Sequence, residues 1–215
     1  MKPARLTLLG LIILLLVTFK VGNAQTLGDD REEKIKNIHL VLGMYAKEIL
    51  LKTGLRLDLR FNPSMVMQAT GGIVDGKPEM TFYEGIIKNL SSDSLVLVTC
   101  HELGHILGGV SFRSLGVLRP RIMDDSVEGE ADYFAGKCLL LFFKDSQDAK
   151  NVGQAGYESI YKRKIDWRLA ESQVYSGVST EYPSDSCRVL SMRRGVEGSE
   201  RPKCWYNPPP PGAER

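Results

Sequence analysis

The chain has 215 residues, with 28 lysines and arginines against 26 aspartates and glutamates. This length allows one domain with a sizeable core. Residues 1–24 contain three of the basic residues and no acidic one, so their removal changes the formal net charge from +2 to −1. The weakly basic balance of the full chain is therefore no sign of nucleic acid as a partner.

Residues 1–24 have the layout of a secretory signal peptide. Lys2 and Arg5 precede an apolar run over residues 6–19, and the small residues of 22–24 suit cleavage. The run is shorter than the about 20 residues of a spanning helix, although an uncleaved anchor is the alternative. We expect an exported protein, periplasmic or secreted, with no stable membrane span once the signal is cleaved.

The first half of the mature chain predicts a helix followed by strands. Apolar residues recur at helical spacing from Asp30 to about Thr53. They are Ile35, Ile38, Leu42, Tyr45, Ile49 and Leu50. Alternation in LRLDLRF and a turn at Asp75-Gly76 then predict strands within residues 55–87.

The second half predicts further helices. One begins at about Ser92 and contains the apolar segment LVLV, and a second carries an apolar stripe from Val127 to Phe142. Residues 150–175 predict a more polar helix. We expect an α+β domain over residues 25–195 and a proline-rich tail over 196–215.

The segment LVTCHELGHILGG, residues 97–109, carries the candidate chemistry. On a helix, His101 and His105 lie on one face and can bind one metal ion, and Glu102 beside them can accept a proton from the water that zinc activates. The alternative is a core helix with two hydrogen-bonded imidazoles, but burial of two imidazoles and a carboxylate is costly without a shared purpose. The motif favours one Zn²⁺ per chain.

The third zinc ligand should be a carboxylate. The position six residues after His105 is Ser111, and the one remaining histidine, His39, belongs to the first helix. The segment SVEGEADYFAG, residues 126–136, offers Glu128, Glu130 and Asp132.

Helical phase separates these three acids. Glu128 and Asp132 share a helix face, whereas Glu130 is about 200° from Glu128. We assign Glu128 to zinc and Asp132 to the orientation of a ligating histidine. In the alternative, Glu128 belongs to a helix cap that begins at Asp125, and Asp132 is a solvated charge.

The four cysteines permit three disulfide pairings, and no Cys-x-x-Cys spacing suggests a thiolate site. Cys100 and Cys138 flank the two ligand segments at similar helical angles. A Cys100–Cys138 bond, with Cys187–Cys204 as the second, is therefore favoured. Two buried thiols are the alternative.

HELGH followed by E-x-x-A-D resembles the gluzincin zinc peptidases of the HtpX and CAAX-prenyl-protease type. The resemblance implies a zincin-like fold, with a small antiparallel sheet packed on an active-site helix and a second ligand-bearing helix. It also implies that His101, His105 and Glu128 bind zinc, with Asp132 beside them. The protein is similar to a soluble, exported branch, because no apolar span follows residue 24.

Two outer segments extend the resemblance. QATGGIVDGKPEMTFYEGII is similar to a family strand near Ala69, which would pair with an extended substrate. YPSDSCRVL is similar to a His-Pro-x-x-x-x-Arg element, with Arg188 in place and Tyr182 where histidine is usual. Tyr182 is then an oxyanion donor, or else a turn aromatic before Pro183.

These patterns predict a zinc metalloendopeptidase that hydrolyses exported or envelope polypeptides, with Glu102 as general base and Tyr182 as a further catalytic residue. The competing hypothesis is a non-catalytic scaffold or binding protein with a structural zinc or none. A scaffold has no need of a general base at Glu102, so this residue favours the enzyme.

Overall fold

The computed structural model describes residues 27–109, 127–173 and 183–205. These residues form six α-helices, a short 3-10 helix and a three-stranded sheet, which confirms the α+β class. The elements are α1 (Leu27–Thr53), β1 (Asp58–Asn62), β2 (Ala69–Val74), β3 (Lys77–Tyr83), α2 (Glu84–Asn89), α3 (Ser92–Leu107), α4 (Glu128–Phe143), α5 (Ser146–Tyr161), the 3-10 helix (Trp167–Ala170) and α6 (Asp185–Glu197). The signal segment and residues 206–215 lie outside the described residues.

Helix α1 buries one apolar stripe, as its period predicts. Ile38, Tyr45 and Ile49 are buried, but Leu50, which the sequence analysis placed in the stripe, is 45% exposed. The helix ends at Gly54, whose φ of +71° suits glycine and whose N–H donates to the carbonyl of Leu50.

The sheet is mixed, so the expectation of an antiparallel sheet is wrong. Strands β2 and β3 form an antiparallel hairpin around Asp75 and Gly76, both with positive φ. Strand β1 runs parallel to β3, in the order β1-β3-β2. Alternating hydrophobicity predicts that a strand forms, but it does not fix the direction of the strand's partner. Strand β2 thus lies at an edge.

The predicted strand region also ends early. Strand β3 stops at Tyr83, and the following EGIIKN forms α2. Gly85, in the first turn of this helix, packs against the loop between β1 and β2, where an added Cβ would lie 2.2 Å from the carbonyl oxygen of Met65. The short apolar pair Ile86-Ile87 suits either a strand or a buried helix, so periodicity could not separate them.

Helix α3 is the central element of the core. Ser91 caps it by accepting the N–H of Ser94 at 3.1 Å. Its segment Leu95–Val98 is buried on all sides because α1, α4, α5 and β2 pack around it. His101 and His105 lie one to two turns further along α3.

Helices α3 and α4 pack unusually close together. A Cβ built at Gly104 would lie 2.4 Å from the Cα of Ala131, so only glycine permits this approach. A disulfide between Cys100 and Cys138 joins the same helices. A second disulfide joins Cys187 to Cys204 beside the 3-10 helix. Both pairs agree with the prediction, in which helical phase favoured Cys100–Cys138 and left Cys187–Cys204 as the second.

Candidate metal centre

Three side chains from two helices converge at one end of a cleft. His101 and His105 come from α3, and Glu128 comes from the first turn of α4. His101 Nε2 lies 3.2 Å from His105 Nε2 and 3.2 Å from one carboxylate oxygen of Glu128. The other Glu128 oxygen lies 3.6 Å from His105 Nε2. Together these residues could hold a metal ion.

The spacing of the three donors fits tetrahedral coordination. Metal–ligand bonds of about 2.0–2.1 Å place neighbouring ligand atoms of a tetrahedron about 3.3 Å apart. The separations of 3.2 Å from His101 Nε2 to His105 Nε2 and to Glu128 Oε2 agree with that geometry, and Glu128 presents its other oxygen to His105 Nε2 at 3.6 Å. Two imidazoles and one carboxylate, with a fourth position facing a cleft, are also typical of catalytic zinc.

Glu128 occupies its position through the way α4 begins. Val127 is the residue before the first helical residue, and no side chain caps this end. Glu128 is therefore the first residue of the helix, which excludes the alternative in which it completes a cap begun at Asp125. Because α3 and α4 approach closely at Gly104, the Glu128 carboxylate lies next to the two histidines.

Asp132 supports the centre from one turn further along α4. Its Oδ1 lies 2.8 Å from His101 Nδ1, and its side chain is completely buried. A proton on Nδ1 held by this carboxylate leaves Nε2 free to face the other two ligands. Tyr157 of α5 also donates to Oδ1, at 2.5 Å.

Arg188 of α6 connects the acids. Its Nε and Nη2 bind the two oxygens of Asp132, each at 2.8 Å, and Nη2 also lies 3.1 Å from Glu128 Oε2. The guanidinium is buried, and its Cζ lies 5.5 Å from the centroid of the Tyr157 ring. Close glycine contacts between α4 and α6 bring it there, because a Cβ at Gly136 would meet the carbonyl of Met192.

Glu102 lies beside the ligands but outside their group. It is almost fully buried, and the backbone N–H of Gly71 in β2 donates to its carboxylate. A Cβ at Gly71 would lie 2.7 Å from the Glu102 Cβ, so glycine is what lets β2 approach α3 here. The pattern QATGGIV predicted only a strand, and it did not indicate this second role of its glycine.

The charges at the centre favour a bound cation. Burial alone would lower the pKa of His101, but the carboxylates of Asp132 and Glu128 raise it to about 10. Burial would raise the pKa of Glu128, but the two histidines and Arg188 lower it to about 2. Burial raises the pKa of Glu102. The carboxylates of Glu128 and Asp132 thus make this position favourable for a positive charge.

Glu130 points away from the ligands, as its helical phase predicts. Its Oε2 accepts the N–H of Gly109 at 3.3 Å and a hydrogen bond from Arg201 at 2.8 Å. This buried carboxylate therefore links the end of α3, the start of α4 and the segment after α6. Glu130 thus helps to fix the first turn of α4, which also contains Glu128.

A cleft of about 430 Å³ opens beside the centre. Ala69 of β2 lines it together with both histidines, Glu102, Glu128 and Arg188. Strand β2 pairs with β3 on one edge, and its other edge has no strand partner among the described residues. The predicted substrate strand is therefore next to the predicted metal ligands.

Two cleft tyrosines were missed by the sequence analysis. Tyr157 and Tyr161 are four residues apart on α5, where the helix predicted over 150–175 already ends at Tyr161, and their rings stack at 6.3 Å. Their i, i+4 spacing was the available signal. Tyr182 lies outside the described residues, and its role stays a prediction.

No protein-family model, curated protein or solved structure matches this chain. Among the helices of the described residues, none combines the length and the apolar character that a membrane span requires.

Proposed function

We propose that this protein is a zinc-dependent endopeptidase of exported or envelope polypeptides. The observation that carries the proposal is the position of Glu102, a buried carboxylate next to a three-ligand group that opens into a cleft. A structural zinc site usually has four protein ligands, whereas a catalytic site has three and one open position. The resemblance to gluzincin peptidases agrees with this proposal.

Zinc held by His101, His105 and Glu128 would polarise the substrate carbonyl and make a water molecule acidic enough to attack it. Glu102 accepts the proton of the attacking water. The other described carboxylate that lines the cleft, Glu128, belongs to the ligand group and is bound by Arg188. A C–O bond forms, the C–N bond breaks, and Glu102 delivers the proton to the departing amine.

The chain's other residues hold this arrangement. Asp132 fixes the ring of His101, and Arg188 holds Asp132 in place. The edge of β2 at Ala69, which no described strand pairs with, would offer main-chain groups to an extended polypeptide and align its backbone along the cleft. Such an edge would favour a polypeptide substrate over a small molecule.

Export is part of the proposal. Two disulfides are compatible with an oxidising compartment, where the predicted signal segment would send the chain. Production in the bacterial periplasm, with the signal segment present, is therefore the appropriate preparation.

The test measures metal content and proteolysis together. Purified protein should contain about one zinc per chain, cleave casein, lose activity to a chelator and regain it with zinc. Glu102→Gln should keep the zinc and the fold but lose cleavage, because an amide cannot accept the proton. Zinc binding without cleavage by the wild type, under all conditions in which it stays folded, would favour the scaffold. Cleavage by Glu102→Gln at the wild-type rate would exclude the mechanism.

A further inference from the structure

Tyr161 places a phenol group at the wall of the cleft. It is the last residue of α5, it is half-buried, and it lines the cleft with the metal ligands. Its hydroxyl oxygen accepts a hydrogen bond from Arg188 Nη1 at 2.7 Å. The neighbouring nitrogen of the same guanidinium, Nη2, lies 3.1 Å from Glu128. One planar group therefore separates this hydroxyl from a metal ligand.

The hydrogen of this hydroxyl is available. A guanidinium has donors and no acceptor, so Tyr161 must be the acceptor in its contact with Arg188. Within the described part of the chain, no oxygen accepts the Tyr161 hydrogen in return. Tyr157 is the contrast, because its hydrogen goes to Asp132 at 2.5 Å. Among the residues that the structure describes, Tyr157 thus donates its hydrogen to the protein and Tyr161 does not.

We propose that the Tyr161 hydroxyl donates a hydrogen bond to the substrate's carbonyl oxygen as that oxygen becomes negatively charged. The inference rests on the proposed endopeptidase function. When water adds to the carbonyl carbon, one electron pair moves onto the oxygen, and Glu102 takes the water proton. The pair returns as the C–N bond breaks. Tyr161 keeps its proton throughout and stabilises the charge between these two events.

The surroundings keep Tyr161 in the form that can donate. Burial raises the pKa of its hydroxyl, and although Arg188 opposes that effect, the net shift is upward. The Arg188 contact also fixes the direction of the hydroxyl oxygen, since the guanidinium itself is held by two bonds to Asp132. A donor fixed before the reaction loses no free energy by reorientation.

Tyr161→Phe separates this role from a structural one. We expect kcat for a peptide substrate to fall about 10²–10³-fold with KM nearly unchanged. The zinc content and the melting temperature should stay at wild-type values. If Tyr161 only anchors Arg188, the variant should instead lose zinc or stability, and unchanged kcat would overturn the proposal directly.

A second measurement does not depend on turnover. A peptide phosphonamidate carries an anionic tetrahedral group at the scissile position, and calorimetry can compare it with an uncleaved product peptide. We expect Tyr161→Phe to weaken phosphonamidate binding by about 10²-fold while product binding is unchanged. Equal binding by both proteins would overturn the proposal whatever the activity.

The controls are two other tyrosines. Tyr133→Phe removes a hydroxyl of α4 that donates to Ser199 at 2.8 Å and is absent from the cleft lining, so kcat should stay at the wild-type value. If Tyr182→Phe carries the loss and Tyr161→Phe does not, the donor is Tyr182 and the proposal fails. A wild type that cleaves nothing but binds the phosphonamidate through Tyr161 would contradict the peptidase function alone. A wild type that does neither contradicts both.

Discussion

Arg188 donates hydrogen bonds to both carboxylate oxygens of Asp132, one from Nε and one from Nη2, each at 2.8 Å. The pair is buried and joins α6 to α4 at the histidine that Asp132 orients. Arg188 lowers the pKa of Asp132, although burial alone would raise it, so this carboxylate stays ionised without water around it. The orientation of a candidate metal ligand thus depends on an arginine 87 residues away in sequence.

The first prediction tests that dependence with Arg188→Lys. Lysine keeps the charge but cannot bind two oxygens in one plane. We expect zinc affinity to fall about 10–100-fold, the range for loss of a partner that orients a ligand. Competition with a chromogenic chelator measures it. Arg193→Lys on the same helix is the control, because Arg193 lies over the ring of Trp167 at 4.3 Å. Equal affinity in both variants would contradict the role of Arg188.

The second prediction distinguishes the acids of α4. Glu128→Ala should lose zinc, because it removes one of three ligands. Glu130→Ala should keep zinc, although loss of its contacts to Gly109 and Arg201 should cost about 1–3 kcal/mol of unfolding free energy. Metal analysis and urea denaturation of both variants provide the measurements. Zinc loss in the Glu130 variant alone would reverse the assignment.

A third prediction concerns the approach of α3 to α4. Gly104→Ala would drive a methyl group into the backbone of Ala131, at 2.4 Å from its Cα. The helices must separate, so we expect a lower melting temperature and weaker zinc binding. Gly43→Ala in α1 is the matched control, since nothing lies within 4 Å of its added Cβ. That control should be neutral or gain about 0.5–1 kcal/mol of unfolding free energy.

The two disulfides should differ in their effects. By loop entropy, removal of Cys100–Cys138, with a separation of 38 residues, should cost about 4 kcal/mol. Removal of Cys187–Cys204, with a separation of 17, should cost about 3 kcal/mol. Zinc affinity should fall more in the double serine variant of the first pair, because that bond joins the two ligand helices. Urea denaturation and chelator competition check both points, and a larger zinc effect from the second pair would contradict them.

Local patterns accounted for much of the structure. His101 and His105 share a face because one helix carries both, and the same phase argument separated Glu128 from Glu130. The Asp75-Gly76 turn is local, the Cys100–Cys138 pair followed from the phases of two helices, and the Cys187–Cys204 pair was the one that remained. Each of these needs knowledge of only one or two elements.

Long-range packing accounted for the rest. The direction of β1 relative to β3 depends on how a six-residue connection, 63–68, crosses the sheet, which alternation does not encode. Tyr157 and Tyr161 gain their roles only because α5 packs against α3 and α6. Gly71 and Gly104 mark close approaches, but a glycine within a strand or helix does not name the backbone that it meets.

The Cys100–Cys138 bond closes a covalent ring around the candidate centre. His101, His105, Glu128 and Asp132 all belong to that ring, and so does every residue of 110–126. One broken peptide bond anywhere in a ring leaves it connected. A protease that nicked the chain between Gly109 and Val127 would therefore yield a two-chain protein that still carries all the ligands on one covalent molecule. Its fragments would separate on a gel only after reduction, and proteolytic processing of this segment is compatible with an intact metal centre.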